Sequence, residues 1–424
     1  MTIYALSTGP GVSGIAVIRV SGKNAALVIK KLTNDKLPKP KVATLKKFNK
    51  NGKKEVIDEG VIIWFPGPNS YTGEDLAEFH VHGSRAVINA MHFAISKVKN
   101  CRMAEPGEFT KRAFQNGRIN LLKAESIADL ISSETEIQRK QAIKIMNGQS
   151  SDKFNLWREN LLKTLSYVEA KIDFPDEDLP KNIIKKIQKT SNLVLEEIKK
   201  TLNDQKVGER IREGFKIAII GPPNSGKSSL INYLSRRDVA IVSAVAGTTR
   251  DVIETHLNLD GYPVIVSDTA GIRNSKNEIE KKGIKIALNR AEDADLKLVI
   301  VSAKSVDFTG ILQALLSKNA ILVVNKSDLV KGKNNVKYNK YENVIISIKK
   351  KINLNKLISK IKSKLKRKFT TTGNILITRE RHRQNLISCV YHLEKFKKKK
   401  TDQDFDKAAE DLRLATRYLG MIVG

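Results

Sequence analysis

The octapeptide Gly221-Pro222-Pro223-Asn224-Ser225-Gly226-Lys227-Ser228 constrains this chain more than any other stretch. An apolar run at 215–220 precedes it, and Ser229-Leu230-Ile231-Asn232-Tyr233-Leu234 follows with the pattern of a helix. A strand, a glycine-rich turn and a helix in that order aim successive backbone N–H groups at one spot beside a positive helix N-terminus. Polyphosphate oxygens are what such a cradle binds. The spacing G-x-x-x-x-G-K-S gives Lys227 to the β- and γ-phosphates and the Ser228 hydroxyl to Mg²⁺.

Three further boxes follow in order. The segment Ser243-Ala244-Val245-Ala246-Gly247-Thr248-Thr249-Arg250-Asp251 falls in a loop, with Thr249 placed to cap Mg²⁺ and sense the γ-phosphate. Two alternating runs, 252–259 and 262–267, meet at Asp260-Gly261, the dipeptide of a tight hairpin. The second run ends in Asp268-Thr269-Ala270-Gly271. There Asp268 is expected to hold the metal through its water shell, and the Gly271 N–H to meet the γ-phosphate. A buried-type strand at 320–324 ends in Asn325-Lys326-Ser327-Asp328. Asp328 can accept from guanine N1–H and the 2-amino group, which adenine does not offer. The four boxes together predict a GTP-binding module.

Its hydrolytic chemistry departs from the Ras-like pattern, in which a glutamine just after the third box orients the attacking water. Ile272 stands there and cannot hydrogen-bond through its side chain. Water must be positioned by another group, and transition-state charge needs another cation. The Asn224 amide oxygen is suited to a monovalent cation beside the phosphates, with carbonyls of 243–248 on the same ion; as a plain turn residue it needs no such role.

Composition sets the class. With 424 residues, 41% hydrophobic and 29% charged, the chain reads as globular and multi-domain. Cys101 and Cys389 stand far apart, outside any C-x-x-C, so neither a disulfide framework nor a zinc site is expected. The beginning of the chain lacks a signal-peptide pattern and no apolar run reaches spanning length, so the expected location is cytoplasmic, away from membranes. A net charge of +31 favours polyanions such as RNA. Drift toward Lys, Ile and Asn in an AT-rich genome gives the same balance. Gly11-Val12-Ser13-Gly14 matches the G-x-x-G of KH modules, but its flanks are strand-like.

Along the chain, 1–118 reads as a mixed α+β domain, with strands at 15–20 and 60–65 and a helix at 87–98. Residues 119–212 read as helical, with apolar residues at i, i+3, i+4 from Leu121 to Ile131 and further helices at 154–171 and 182–202. An α/β P-loop, Ras-like GTPase domain is expected at 213–370. Residues 371–424 return to helix, at 379–398 and 405–419. The expected fold is therefore multi-domain: an α+β domain, and an all-α domain split around an inserted nucleotide module.

The chain resembles the MnmE (TrmE) family over essentially its whole length. The resemblance rests on Ile18-Arg19-Val20-Ser21-Gly22, Ser70-Tyr71-Thr72-Gly73-Glu74-Asp75, His82-Gly83, Ala104-Glu105-Pro106-Gly107-Glu108-Phe109-Thr110 and Ala124-Glu125-Ser126-Ile127-Ala128-Asp129-Leu130-Ile131. It implies a folate-binding N-terminal domain like that of glycine-cleavage T-protein, which pairs two chains as a homodimer. It also implies a GTPase activated by K⁺ when two modules meet. With the FAD-carrying flavoprotein MnmG (GidA), in a heterotetramer, such proteins add a carboxymethylaminomethyl group to the wobble uridine of certain tRNAs. By the same resemblance Arg19, Glu78 and Arg118 hold 5-formyltetrahydrofolate or a related one-carbon folate. Asn224, Ser243, Val245 and Thr248 hold K⁺, Ser228 and Thr249 hold Mg²⁺, and Glu280 orients the hydrolytic water through a bridging water.

Two departures from the family pattern matter. Family members end in C-[ILV]-G-K, whereas this chain ends at Met421-Ile422-Val423-Gly424, so GTP hydrolysis is expected and tRNA modification is left open. Ile348 also replaces the small residue of the guanine-supporting loop, although its backbone N–H is kept. Two other classes stay open: a ribosome-assembly GTPase of the Era or Der type, and a folate-binding scaffold that keeps GTPase activity. His80 and His82 share a strand face but lack a third metal ligand; Trp64 and Trp157 read as core or interface residues, and Cys101 as a small buried hydrophobe.

Overall fold

The computed structural model describes residues 1–50, 55–174, 182–237, 254–268, 292–304, 315–316, 319–330, 340–369, 375–399 and 405–424, and every structural statement concerns these residues. The chain divides into two compact units, 1–124 and 125–424.

The first unit is built on one mixed sheet. Its strands are β1 (Thr2–Leu6), β2 (Ser13–Ser21), β3 (Thr44–Asn49), β4 (Val56–Phe65), β5 (Leu76–Gly83) and β6 (Cys101–Met103), in the order β3-β4-β5-β2-β1-β6. Pairing is antiparallel except between β1 and β6. The period of two along a strand puts Ala16, Ile18 and Val20 in the core and leaves Val17 and Arg19 on the opposite face. Helices Ala25–Thr33 and Arg85–Ser96 cover the apolar face, packing Val28, Ile29, Leu32, Met91 and Ile95 against Ile18, Ile62 and Phe79. The helix expected at 87–98 starts at Arg85 because the Ser84 side chain accepts from the Val87 N–H and caps it. The strands expected at 15–20 and 60–65 are β2 and β4, and Trp64 is in the core.

The second unit joins a parallel sheet to a helical layer. Its strands are β7 (Phe215–Ile220), β8 (Glu254–Leu259), β9 (Tyr262–Asp268), β10 (Leu296–Ser302), β11 (Ala320–Asn325) and β12 (Asn343–Ile345). The order is β12-β11-β10-β7-β9-β8, with only β8 antiparallel to its neighbour. Near-continuous apolar runs such as Ala320–Val324 suit strands covered on both faces, and they are buried throughout. The β8–β9 turn is the expected hairpin: Asp260 and Gly261 have φ of 54° and 87°, as a two-residue I′ turn requires. Helices Lys227–Arg237 and Leu354–Phe369 pack on this sheet.

The helical layer comprises Glu136–Met146, Gln149–Asp173, Ile183–Leu202, Val207–Glu213, Glu380–Lys398 and Phe405–Val423. Phe154 and Trp157 fill its interior, and the Trp157 indole N–H donates to Glu197 at 2.6 Å. The short helix Val207–Glu213 hands the chain to β7 through Gly214. It is tied on both sides, by Arg210 to Asp295 just before β10 (2.7 Å) and by Arg212 to Asp129 (3.1 Å). The strand that carries the phosphate loop thus starts from a fixed point.

Candidate nucleotide site

The first, third and fourth boxes begin at the ends of β7, β9 and β11. In the sheet register Ile219 is opposite Asp268, Ile220 opposite Val299, and Ser302 opposite Asn325. The carboxyl ends of β7, β9, β10 and β11 therefore share one edge, where ligands of open parallel sheets bind.

The loop after β7 can adopt its shape only with glycine at two places. Gly226 has φ 105°, and a Cβ there would lie 2.2 Å from the Asn325 Nδ2. A Cβ on Gly221 would lie 2.0 Å from the Ile300 carbonyl oxygen. Asn224 has φ 59° and is exposed at the tip. Lys227, the first residue of the helix, folds its ammonium back to donate to the carbonyls of Gly221 (2.7 Å) and Pro222 (2.9 Å). This lysine braces the loop from within, at the positive N-terminus of its helix, where an anion is favoured. Ser228 is exposed beside it, so its hydroxyl can reach a metal at the phosphates; Ser229 is exposed too. Ser225 is buried, and its Oγ has no hydrogen-bond partner among the described residues.

The base loop is tied to the phosphate loop. Asn325, 3% exposed at the end of β11, donates from Nδ2 to the Ser225 carbonyl at 2.8 Å and accepts from the Ile348 N–H at 3.3 Å. The backbone then turns through Lys326, at φ 64°, into a 3-10 turn Ser327–Leu329 that exposes Asp328. The Ser347 hydroxyl donates to the Asp328 carboxylate at 2.5 Å. That bond, with Lys349 and Lys350 nearby, holds the Asp328 carboxyl below the usual carboxylate range. The base ligand is thus charged and oriented. The Ile348 N–H, expected to face the base, is engaged by Asn325, and the Ile348 side chain packs against the sheet core.

Other sequence-predicted residues fall outside this description. Ser243, Ala244, Val245, Ala246, Gly247, Thr248, Thr249, Thr269, Ala270, Gly271, Ile272 and Glu280 lie outside the described residues. For Asp268 the backbone alone is described, at the end of β9.

In the first unit, β2 and β5 set Arg19 directly opposite Glu78, and the guanidinium donates to Oε1 from Nε (2.9 Å) and Nη2 (2.7 Å). The Arg19 guanidinium also lies 5.4 Å from the Tyr71 ring centre and 5.6 Å from that of Phe109. These two rings are site neighbours that sequence reasoning missed. Arg118 is exposed, and its stem runs against Gly73 in the same 70–75 loop. Arg19 and Glu78 form one cluster; no hydrogen bond or ion pair joins Arg118 to it among the described residues.

His82 pairs with Asp58 at 2.8 Å and His80 lies 3.8 Å from Glu78. No group of three metal-ligating side chains occurs among the described residues. Cys389 is fully buried, and burial pushes its thiol up to about 12, so it is chemically quiet. Cys101, expected to be buried, is half-buried at the end of the sheet. Among the described residues no helix is long and apolar enough to cross a membrane.

The chain is similar to known proteins over its whole length. A family model for the N-terminus of the GTP-binding protein TrmE matches residues 2–118, and one for the MnmE helical domain matches 121–424. Over 424 residues the chain is 70% identical to the tRNA modification GTPase MnmE of Pelagibacter ubique, covering all of this chain and 96% of that protein. It is 43% identical over 428 residues to the protein of the same name from Rickettsia bellii, covering 95% of it. A crystal structure of Aquifex aeolicus Era bound to GDP·AlF4− matches 42% of this chain and 66% of its own, at 29% identity and a TM-score of 0.29.

Proposed function

Because the chain belongs to the MnmE (TrmE) family of tRNA modification GTPases, we propose that it hydrolyses GTP in the course of modifying tRNA. One observation carries the nucleotide part: the Asn325 side chain spans from the phosphate loop to the base loop, so triphosphate and guanine are held in one fixed frame. The phosphate loop and the N-terminus of the helix that Lys227 starts receive the phosphates, and Asp328 selects guanine. When bound, Mg²⁺ neutralises charge on the β- and γ-oxygens. The exposed Ser228 hydroxyl is the ligand this chain offers it in the first helical turn, and Thr249 is the second expected ligand.

The finer reading is ours by family resemblance. Asn224, Ser243, Val245 and Thr248 hold K⁺, and Glu280 orients the attacking water, a task that Ile272 cannot perform. The exposed, left-handed Asn224 at the loop tip supports the first of these. Arg19, Glu78 and Arg118 bind a one-carbon folate. The active assembly is a homodimer in the cytoplasm, joined to the flavoprotein MnmG for addition of carboxymethylaminomethyl to the wobble uridine.

GTP turnover is expected to be several-fold faster in K⁺ than in Na⁺. Equal rates in the two salts would remove the potassium reading while leaving the GTPase intact. The tRNA part is tested separately: wobble-uridine modification should return when the gene is supplied to cells that lack the activity.

A further inference from the structure

The helix Leu354–Phe369 turns Leu354, Leu357, Ile358, Ile361 and Leu365 inward onto the sheet of the nucleotide module. Its 16 residues also hold seven Lys or Arg and no Asp or Glu. At about 3.6 residues per turn, Lys356, Ser359, Ser363 and Arg367 fall in one stripe opposite the buried face, and all are exposed. Lys360, Lys362 and Lys364 flank the stripe and are engaged, by the Asn343 carbonyl (3.1 Å), Asp260 (2.7 Å) and Glu342 (2.6 Å). Lys356 and Arg367 differ. Neither has a hydrogen-bond or ion-pair partner among the described residues.

Two ordinary causes leave this stripe unexplained. Drift toward lysine raises its count everywhere, yet in other helices the lysines share space with acids. Gln149–Asp173 carries Asp152, Glu159 and Glu169, and Ile183–Leu202 carries Glu196 and Glu197. The helix macrodipole favours cations in the last turn, which covers Arg367 but not Lys356 in the first turn.

At the far end of the stripe a recess of about 170 Å³ opens beside Arg367, Lys368 and Asn319. Asp295, which also lines it, is already held by Arg210 (2.7 Å) and the Lys216 N–H (3.2 Å). Cations and hydroxyls that recur about every turn suit a polymer with one negative charge per unit. Guanidinium, ammonium and serine hydroxyl are all donors to phosphate oxygens. The apolar side of the helix is buried in the sheet core, so it has nothing to insert into a lipid surface.

We propose that the outer face of the helix Leu354–Phe369 docks the phosphate backbone of tRNA. Lys356, Ser359, Ser363 and Arg367 follow one strand, and a phosphate seats in the recess beside Arg367, Lys368 and the Asn319 amide. The proposal rests on the tRNA reading above and adds where the chain touches the RNA.

The test is anisotropy of a labelled tRNA transcript with the full chain, between about 50 and 200 mM salt. The Lys356→Gln/Arg367→Gln double variant should bind roughly tenfold more weakly, with a log–log salt slope shallower by about 2. Its GTP turnover and melting temperature should match wild type, because both side chains are exposed and unpaired. Lys356→Arg/Arg367→Lys keeps both charges and should keep the slope. Lys185→Gln/Lys189→Gln removes the same charge from exposed positions on the helix Ile183–Leu202 and should leave affinity and slope near wild type. Ser363→Ala should weaken binding without changing the slope.

If wild type binds tRNA and the Lys356/Arg367 double variant binds it equally well, the docking face falls and the tRNA reading stands. If wild type hydrolyses GTP yet binds no tRNA, both fall. A loss as large in the Lys185/Lys189 variant would make net charge, and not this face, the cause. Displacement by polyglutamate as effective as by unlabelled tRNA of equal charge would make the face a site for acidic protein. Either of these last two results overturns the proposal.

Discussion

The Asn325 Nδ2 donates to the Ser225 carbonyl at 2.8 Å, joining two loops that are 100 residues apart in the chain. The same amide accepts from Ile348, so one buried side chain fixes both the phosphate cradle and the base loop. Asn325→Ala would leave the Ser225 carbonyl and the Ile348 N–H without this partner, each at a cost of about 1–3 kcal/mol if it stays dry. GTP and GDP should weaken together, by roughly tenfold or more, because neither loop is specific to the γ-phosphate. Titration with fluorescent analogues of both nucleotides checks this. A loss confined to GTP would show that the tether serves the γ-phosphate and not the frame.

Asp328 is exposed, yet oriented by the Ser347 hydroxyl. Its two oxygens suit a base that presents two adjacent donors. Asp328→Asn replaces one acceptor with a donor, which matches xanthine, where the 2-amino group is a carbonyl. The variant should lose GTP by at least tenfold and gain XTP, on the scale of about 1.5–3 kcal/mol for a hydrogen bond to a charged group. Competition between GTP and XTP for the same labelled nucleotide reads the switch directly. Equal loss of both would mean that the substitution disturbed the loop.

What could be read in the chain depended on how local the physics was. The phosphate cradle, the Asp260-Gly261 hairpin and the strand Ala320–Asn325 are set by spacing, turn chemistry and unbroken apolar runs, all within about ten residues. The Asn325 tether and the Arg19–Glu78 pair are not, since each joins residues that only the sheet brings together. Strand β3 was also missed. Its Leu-Lys-Lys-Phe-Asn stretch lies at the sheet edge, where lysines guard against edge pairing and blur the alternation. Tyr71 and Phe109 sit inside recognised motifs, but nothing in spacing tells that their rings flank Arg19.

Acid sensitivity of the first unit should involve Glu108. Hydrogen bonds from Arg102 (2.6 and 2.8 Å), then the Glu105 N–H and Arg112, lower its carboxyl from 4.5 to about 2. A carboxyl whose folded pKa is depressed contributes stability above its unfolded value and loses it as pH falls through the folded one. The contribution is therefore full above about 4.5 and fades toward about 2. Glu108→Gln should melt lower than wild type at neutral pH, and the gap should close as pH drops through that window. A gap that is constant with pH would assign the effect to packing.

Arg383 gives the sharpest stability prediction. Its guanidinium, 8% exposed, donates to Glu209 from Nη2 (2.7 Å) and Nε, to Asp204 at 2.7 Å and to the Leu202 carbonyl at 3.0 Å. Glu209 is buried in the short helix Val207–Glu213, which leads into β7. Arg383→Met keeps much of the volume but strands the Glu209 carboxylate, at a cost of about 3–5 kcal/mol. Pairing it with Glu209→Met removes the stranded charge and should recover much of that loss. Chemical denaturation of the wild type, the single variant and the double variant measures both steps. Nucleotide affinity well below the transition should stay near wild type in the double variant, because Arg210 still ties the same helix to Asp295. If the double variant is as unstable as the single one, the arginine acts through its contact with Leu202 and Asp204, and Glu209 is a bystander.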